Sequence, residues 1–579
     1  MYKLKCRQMN RFLHASLLAT SISIMAVAGN VSAKEVVHDA EFYVLKAQHG
    51  EKWAAQDEEL NKKLKALKDK YGTPPNIIHI MWDDTPVGDI GIPALQKNRG
   101  FETPEINKLA AEGAYFTRMY TEPACTQTRA ATITGRHPIR SGMYNTGFPY
   151  EYGGLPASEV TIAEVLSQAG YATAFYGKSH LGDIEESYMT NQGFDEALWT
   201  PYNQVPSLYV EQVERNGGIM PTSMHPEIWP DDPYDMDKGW RPKGYVWALE
   251  GKKGGPVTEF VKTGDLKDYN KIEPETRSRT MAFIKKNAAA KKPFYVAFWP
   301  QLGPMVPSVE KQTQSGGILQ EGLVRFDPWV GELKKELISL GIAENTLVIL
   351  MADNGPMVHN GPPGMVDTLY RGGKGDYTEG GVRVPAFAWW PGVIEAGSLV
   401  GDIIHATDLY TTFARIGGAT DYIPRDRIID GIDQTALFLA GDTHSRRDYV
   451  HIYTGNVYAA TVKGRFKRRW VGDLPGLSGA AFFDLYNDPR EVQPKMLQGF
   501  PLKGVFNAMK ARHEVWMEEY PNTPTAQGLP FKGIENPRPE LVEASKPRFK
   551  QEDVPFDIEK ALKREGSMLE NFDADWGIE

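Results

Sequence analysis

The segment 161–180, "TIAEVLSQAGYATAFYGKSH", contains a helix–strand unit from which the fold of the whole chain is predicted. Its first half has the apolar spacing of a helix beginning at Thr161, and Gly170 ends that helix. The apolar stretch 171–177 then reads as a buried strand, and Lys178 and His180 follow it. Polar side chains directly after a buried strand are expected at the carboxyl edge of a sheet, where α/β folds bind their ligands.

The same unit recurs along the chain. Further helix–strand pairs are predicted at 103–121, 276–300 and 329–355, and "IIHIMW" (77–82) is another buried strand. Because helices alternate with continuous apolar strands, the sequence predicts an α/β fold with a large, mostly parallel mixed sheet flanked by helices. Short strand-like pieces after about residue 440, followed by a helix near 502–519, predict a smaller C-terminal α+β subdomain.

These patterns divide the chain into four parts. We expect a signal segment at 1–33, an N-terminal helical extension at 34–75, the main α/β domain at 76–440 and a C-terminal subdomain with a tail at 441–579. An apolar stripe predicts that the extension forms a helix docked on the main domain; it comprises Leu60, Leu64, Leu67 and Tyr71. Residues 200–270 read as an insertion whose tryptophans either line a substrate cleft or pack the insertion itself; they are Trp229, Trp240 and Trp247.

The first 33 residues have the three parts of an export signal. A basic start precedes the apolar stretch 12–29, and small residues at Val31 and Ala33 favour cleavage after Ala33. We therefore expect an exported protein, periplasmic or secreted, without a stable membrane anchor. The net charge of -9, which becomes more negative once this basic segment is removed, argues against a nucleic-acid-binding protein.

Cleavage would leave one cysteine, Cys125, since the other is Cys6. An internal disulfide is then impossible, so the thiol is either inert or kept for its chemistry. Cys125 begins "CTQTRAATITGR" (125–136), which predicts a short helix whose first amides are capped by Thr126 or Thr128. A helix N-terminus favours anions, and Arg129 and Arg136 add positive charge to this segment.

Two oxygen-rich pairs follow predicted strands, Asp83-Asp84 after 77–82 and Asp353-Asn354 after 346–352. Carboxylate and amide oxygens suit a hard cation, Ca²⁺ or Mg²⁺, and no cluster of cysteines and histidines suggests zinc. With Arg129, Lys178 and the segment "RGGKG" (371–375), such a site would hold a compact oxyanion. The sequence therefore points to sulfate or phosphate esters.

Six stretches, in order, resemble the motifs of the type I sulfatases, and of arylsulfatases in particular. They are "PNIIHIMWDDTPVGDIG", "TPEINKLAAEGAYFT", "CTQTRAATITGR", "TIAEVLSQAGYATAFYGKSHLG", "NTLVILMADNG" and "GGKGDYTEGGVRVP". The resemblance runs from about residue 75 to about 490, and ordered motifs over such a length are far more specific than one fingerprint. It implies the fold shared by alkaline phosphatases and sulfatases.

The resemblance also implies a role for each matching residue. Cys125 would be converted by formylglycine-generating machinery to formylglycine, whose hydrate is the nucleophile. Ca²⁺, with Mg²⁺ possible, would be bound by four residues: Asp83, Asp84, Asp353 and Asn354. Arg129 would hold the modified residue, Lys178 and Lys374 would grip the sulfate, and His180 would assist the hydrate. The implied reaction is hydrolysis of a small-molecule or carbohydrate sulfate ester to inorganic sulfate and an alcohol or phenol.

Two positions depart from the family pattern. Gln127 stands where the family has Pro or a small residue, and Gln301 follows the strand after which a second active-site histidine is usual. The acid that protonates the leaving group is thus unassigned, with His359 one candidate. Two alternatives remain open from the sequence: a phosphatase or phosphodiesterase of the same superfamily, and an exported anion-binding relative without catalysis.

Overall fold

The computed structural model describes residues 35–147, 153–202, 246–261, 271–300, 318–357, 369–471, 481–520, 522–528 and 531. The predicted signal segment 1–33, most of the 200–270 insertion and all residues after 531 lie outside the described residues. Among the helices that are described, none has an apolar stretch long enough to cross a lipid bilayer.

The strands, in chain order, are β1 (Asn76–Trp82), β2 (Ala114–Phe116), β3 (Met119–Tyr120), β4 (Gly153–Gly154), β5 (Ala172–Lys178), β6 (Glu196–Thr200), β7 (Leu249–Lys252), β8 (Thr258–Glu259), β9 (Phe294–Trp299), β10 (Thr346–Ala352), β11 (Arg383–Val384), β12 (Ala386–Trp389), β13 (Ser398–Val400), β14 (Ile404–His405), β15 (Tyr449–Thr454), β16 (Val457–Lys463), β17 (Phe466–Arg469), β18 (Phe482–Asp484) and β19 (Ala526–Gln527). The α-helices are α1 (Ala40–Tyr71), α2 (Pro93–Asn98), α3 (Pro104–Ala111), α4 (Cys125–Thr134), α5 (Pro138–Ser141), α6 (Ile162–Gln168), α7 (Ile272–Ala289), α8 (Ile318–Ser339), α9 (Glu379–Val382), α10 (Asp408–Ile416), α11 (Thr435–Ala440) and α12 (Met496–Glu519).

The main sheet is mixed, with a parallel centre, as the sequence predicts. Its order is β13-β2-β12-β10-β1-β9-β5-β6-β7-β8. The five central strands from β10 to β6 are mutually parallel, whereas β12 and β7 flank them in the antiparallel sense. All of β1, β5, β9 and β10 is buried, which explains why these strands read as continuous apolar runs.

Helices cover both faces of this sheet. Along β1, Ile77 and Met81 point into a core shared with α4, α6 and α10. Their neighbours Ile78 and Ile80 point into a second core, shared with α3, α7 and α8. This alternation is the two-residue period of a strand that is buried on both sides.

The N-terminal helix and the C-terminal subdomain pack on this body. Helix α1 begins at Ala40, earlier than its apolar stripe suggests, and Leu60 is buried in the first core with Leu64 and Leu67 packed against it. The subdomain contains the antiparallel sheet β15-β16-β17-β18 and helix α12. Leu45 and Trp53 of α1 share a small cluster with Met509 of α12, so the N-terminal helix packs against the C-terminal subdomain.

One glycine is essential for the central pairing of β5 with β9. Gly177 has φ +114°, and a Cβ atom there would lie 1.9 Å from the carbonyl oxygen of Trp299 on the neighbouring strand. Gly170, which ends α6 in the same helix–strand unit, has φ +90° but no heavy atom within 4 Å of such a Cβ. A side chain at position 170 would therefore add backbone strain alone, whereas one at position 177 would add both backbone strain and steric overlap.

We predict that Gly177→Ala destabilises the protein far more than Gly170→Ala. Both variants add strain at positive φ, about 1–2 kcal/mol, but only Gly177→Ala also forces two strands apart, for a total above about 3 kcal/mol. Urea unfolding followed by tryptophan fluorescence measures both. Equal losses in the two variants would contradict this assignment.

Candidate active site

Three parallel strands bring the sequence-predicted polar residues to one edge of the sheet. Asp83 and Asp84 directly follow β1, Asp353 and Asn354 directly follow its neighbour β10, and Lys178 is the last residue of β5. The backbone N–H of Asp84 donates to Asp353 Oδ1 at 3.1 Å, which ties the two acidic pairs together. Residues separated by 269 positions in the chain are thus in direct contact.

Cys125 occupies the first position of helix α4, beside these carboxylates. Its side chain is fully buried, and Sγ lies 3.3 Å from Asp83 Oδ1 and 3.6 Å from Asp84 Oδ1. Burial, with the negative charges of Asp353 and Asp83, raises the pKa of the thiol well above its usual value. The side chain is therefore a neutral thiol at neutral pH rather than a thiolate nucleophile.

Arg129, one turn further along α4, connects the helix to the sheet edge. Its guanidinium donates to Asp353 Oδ2 from Nε at 3.0 Å and from the terminal nitrogen at 2.7 Å, and to the carbonyl of Lys178 at 2.6 Å. The group also lies over the ring of Trp299, 5.4 Å from its centre. Such a two-pronged contact fixes the orientation of α4 and hence the position of Cys125.

Two lysines provide the remaining positive charge. Lys178 Nζ forms an ion pair with Asp83, and Lys374 Nζ lies 2.8 Å from both oxygens of Asp84. Burial opposes the charge on Lys374, but Asp84 and the other acidic groups raise its pKa well above the usual value, so it is protonated. Burial likewise opposes ionisation of Asp83, yet Lys178, Lys374 and Arg129 hold its pKa well below the usual range.

His180 is buried with one nitrogen unused. Its Nε2 lies 2.8 Å from the carbonyl oxygen of Gly147, and because a carbonyl only accepts, Nε2 carries the proton. Nδ1 is then a bare lone pair, and it has no hydrogen-bond partner among the described residues. Burial, followed by the charge of Lys178, lowers the pKa of His180 well below its usual value. The imidazole is therefore neutral, and its Nδ1 lone pair accepts no hydrogen bond from any described residue.

Backbone strain marks the same residues. Asp84 has φ 48° and His180 has φ 54°, both in the left-handed region that residues with side chains rarely adopt. Such conformations persist only where the surroundings over-determine them, and they concentrate at functional sites.

The acidic group has the donors that a hard divalent cation requires. Asp83, Asp84 and Asp353 contribute carboxylates within a few ångströms of one another. The amide nitrogen of Asn354 donates to Asp84 Oδ1 at 2.7 Å, which leaves Asn354 Oδ1 buried and without a partner among the described residues. An orphaned buried acceptor beside three carboxylates fits Ca²⁺ or Mg²⁺.

Two other buried groups combine a carboxylate with two histidines: Asp39 with His451 and His513, and Glu122 with His137 and His405. In each group one histidine is hydrogen-bonded to the carboxylate, since His513 Nδ1 lies 2.7 Å from Asp39 Oδ1 and His137 Nδ1 lies 2.6 Å from Glu122 Oε1. Neither group offers the oxygen-rich set that a hard cation prefers.

Three local expectations are corrected by the structure. The predicted strand before Cys125 is split, because β2 joins the main sheet while β3 pairs with β11 and β14. Neither predicted threonine caps α4: Thr126 accepts from Gly147, and the hydroxyl of Thr128 exchanges two hydrogen bonds with the backbone of Glu122. Arg136 does not serve the site, since it pairs with Glu159 away from the carboxylates.

Some other residues singled out from the sequence lie outside the part of the chain that the structure describes. Gln301, which stands where the family has a second histidine, lies outside the described residues, as does His359, the candidate for protonating the leaving group. Trp229 and Trp240 also lie outside them. Trp247 is fully buried in the second core, which favours packing over a substrate wall. Gln127 donates to the backbone carbonyl of Tyr144 at 2.9 Å and so ties the first turn of α4 to the loop that also carries Gly147.

Sequence reasoning missed the groups that hold Lys374 in place. The N–H of Lys374 donates to the carbonyl of Pro356 at 2.8 Å, and that of Gly375 to Pro123 at 2.7 Å. Pro356 lies just after the Asp353-Asn354 pair and Pro123 just before Cys125. No sequence signal could have revealed these contacts, because both acceptors are backbone atoms.

Comparisons with known proteins identify the family of this chain. The family model described as "Sulfatase" matches residues 75–245 and 314–419. Steryl-sulfatase of Rattus norvegicus is 30% identical over 541 residues, covering 80% of this chain and 92% of its own. Arylsulfatase A of Homo sapiens is 34% identical over 409 residues, covering 68% and 73%.

A solved structure shows the same fold. The PsFucS1 sulfatase from Pseudoalteromonas sp. superposes with a TM-score of 0.70 at 32% identity, covering 81% of this chain and 96% of that one. This structural likeness confirms the predicted fold class. The chain belongs to the sulfatase family and is a sulfuric ester hydrolase.

Proposed function

We propose that this chain hydrolyses sulfate monoesters with a formylglycine hydrate made from Cys125, assisted by Ca²⁺. The observation that carries the proposal is the contact of Cys125 Sγ with Asp83 and Asp84, inside a cluster of oxygen donors and surrounded by three cationic side chains. The products would be inorganic sulfate and an alcohol or phenol.

The electrostatics around Cys125 support its conversion. A buried thiol whose pKa is raised by burial and by Asp353 and Asp83 is a poor nucleophile, so an unmodified cysteine would serve little purpose there. Formylglycine at this position would supply two hydroxyls on one carbon, one to attack sulfur and one whose deprotonation later restores the aldehyde and releases sulfate.

The cation would be held by Asp83, Asp84, Asp353 and Asn354. Burial and the neighbouring Asp83 raise the pKa of Asp353 to about 6, which shows that these carboxylates repel one another and would gain from a shared cation. When bound, Ca²⁺ would lower the pKa of a coordinated hydroxyl and draw charge from a sulfate oxygen. Mg²⁺ uses the same donors and is the alternative.

The charges of the site favour an anionic ester. Three carboxylates, on Asp83, Asp84 and Asp353, are matched by three cations, on Arg129, Lys178 and Lys374. A bound divalent cation would leave an excess of positive charge in a buried, low-dielectric site, and a sulfate ester would offset it. Lys178 and Lys374 would then turn toward the sulfate oxygens.

Two further residues have roles that follow from their contacts. Arg129 would orient the modified residue, since it already fixes α4 against Asp353. His180 would accept a proton from the second hydroxyl at Nδ1, because that nitrogen is bare and its ring is neutral. A phenol leaves readily without a proton donor, so we expect aryl sulfates to be substrates.

The proposal includes export. Residues 1–33 have the pattern of an export signal, and the reaction would take place in the periplasm or outside the cell. The partners we expect are a small-molecule or carbohydrate sulfate ester and the formylglycine-generating machinery.

We predict that Ca²⁺ raises the thermal midpoint and that chelation lowers it, because binding to the native state stabilises it by mass action. Asp84→Asn and Asn354→Ala are expected to weaken Ca²⁺ binding at least about 10-fold, since each removes a donor. Calorimetry measures the affinity directly. Asp448→Asn, which removes a carboxylate paired with Lys463 away from the site, is the matched control. Unchanged Ca²⁺ affinity in both site variants would contradict the proposed ligands.

We predict that the tryptic peptide Met119–Arg129, prepared from protein expressed in its native host, is lighter than the unmodified peptide by the mass difference between cysteine and formylglycine. Cys125→Ala should lower kcat for 4-nitrophenyl sulfate by at least about 1,000-fold, as loss of a nucleophile does, while Ca²⁺ binding persists. Detection of an unmodified Cys125 thiol in fully active enzyme would contradict the proposed formylglycine nucleophile.

We predict that one preparation hydrolyses 4-nitrophenyl sulfate with a kcat/KM at least about 10-fold above that for 4-nitrophenyl phosphate, as expected of a chain whose relatives are sulfatases. A preference for the phosphate would favour the phosphatase alternative. Tight binding of sulfate without turnover of either ester would favour a non-catalytic relative.

A further inference from the structure

The loop that carries Lys374 is closed on itself by backbone contacts. It runs from Arg371 to Thr378, and the N–H of Gly380 donates back to the carbonyl of Arg371 at 2.7 Å. A Cβ on Gly380 would lie 2.3 Å from that carbonyl oxygen, and one on Gly355 would lie 1.7 Å from the carbonyl oxygen of Gly380. The loop, helix α9 and the end of β10 are therefore packed with no spare room.

Glu379, the first residue of α9, joins this loop to the C-terminal subdomain. Its carboxylate is fully buried and lies 3.1 Å from Lys467 Nζ on strand β17. Tyr120 also donates to it, at 2.9 Å. A buried carboxylate needs such partners because losing them leaves an uncompensated charge.

Glu491, which follows β18, touches both ends of the same loop. Its carboxylate accepts from the N–H of Glu379 at 2.7 Å, and its backbone carbonyl accepts from the guanidinium of Arg371 at 3.3 Å. Lys467 Nζ lies 3.4 Å from the Glu491 carboxylate, and Arg469 Nε lies 3.3 Å from it. One lysine thus bridges two buried carboxylates, that of Glu379, which directly follows the loop, and that of Glu491. Glu491 contacts the loop at its beginning through its backbone carbonyl and just after its end through its carboxylate.

From these contacts we infer that Lys467, with Glu379 and Glu491, forms a clamp in the C-terminal subdomain that positions Lys374 for sulfate. None of the three touches Asp83, Asp84 or Cys125 in the contacts described above, so they are positioning residues rather than catalytic ones. The inference rests on the proposed function only for the statement that Lys374 binds sulfate oxygens.

The clamp makes a prediction that general loss of stability does not. If Lys467 acts through Lys374, removing Lys467 should weaken sulfate binding in the wild-type background but add little once Lys374 is gone. Effects of residues that act through one another are non-additive, whereas independent effects add. Ca²⁺ binding should be spared, because the cation donors directly follow β1 and β10 and make none of the contacts of the clamp.

The test is a double-mutant cycle with inorganic sulfate as the probe, measured by calorimetry on the full chain loaded with Ca²⁺. We expect Lys467→Met to weaken sulfate binding about 10-fold in the wild-type background and less than about 2-fold in the Lys374→Met background. Lys467→Arg should recover most of the affinity. Arg465→Met is the matched control, since it removes a partly exposed cation that directly precedes the same strand and pairs with Asp484.

The outcomes distinguish failure of the clamp from failure of the proposed role of Lys374. Wild-type sulfate affinity in Lys467→Met, or equal weakening in both backgrounds, overturns the clamp. If Lys374→Met itself binds sulfate normally, the proposed role of Lys374 fails and the clamp has nothing to position. Should Lys467→Met not fold, Glu491→Gln replaces it in the same cycle, because it keeps an acceptor for the Glu379 N–H while removing the charge that Lys467 bridges.

Discussion

Mutual repulsion among Asp83, Asp84 and Asp353 is the constraint on which this site depends. Two parallel strands end side by side and bring three carboxylates into a buried space, where like charges cost several kcal/mol unless they are compensated. Arg129 provides that compensation from helix α4, and this one contact also sets where Cys125 lies. The ion pair of Arg129 with Asp353 therefore both offsets negative charge in the site and fixes the position of helix α4.

Compensation comes from several distant segments. Lys178 arrives from β5, two strands away from β1, and Lys374 from a loop that is held by backbone contacts near Pro356 and Pro123. Because the cations come from different elements, the site forms only when the sheet, α4 and this loop are all in place. A folding error in any one of them would leave buried carboxylates unpaired, which links formation of the site to formation of the fold.

Gln127, one of the two departures from the family pattern, makes a structural contact in the folded protein. Gln127 uses its amide to tie α4 to the carbonyl of Tyr144, and the neighbouring Gly147 carbonyl fixes the tautomer of His180. The residue at 127 thus supports the loop that keeps His180 Nδ1 available.

The sequence alone determined the alternation of helices and strands and the parallel centre of the sheet, and it suggested nine site residues, Asp83 and Lys374 among them, whose roles are proposals. Those features depend on residue type and local spacing, which a sequence displays directly. It did not reveal that Arg136 points away from the site, that Thr128 binds Glu122 rather than capping α4, or that Lys467 reaches Glu379. Only the tertiary structure decided these, because a side chain's partner is set by which distant segment the fold returns to it.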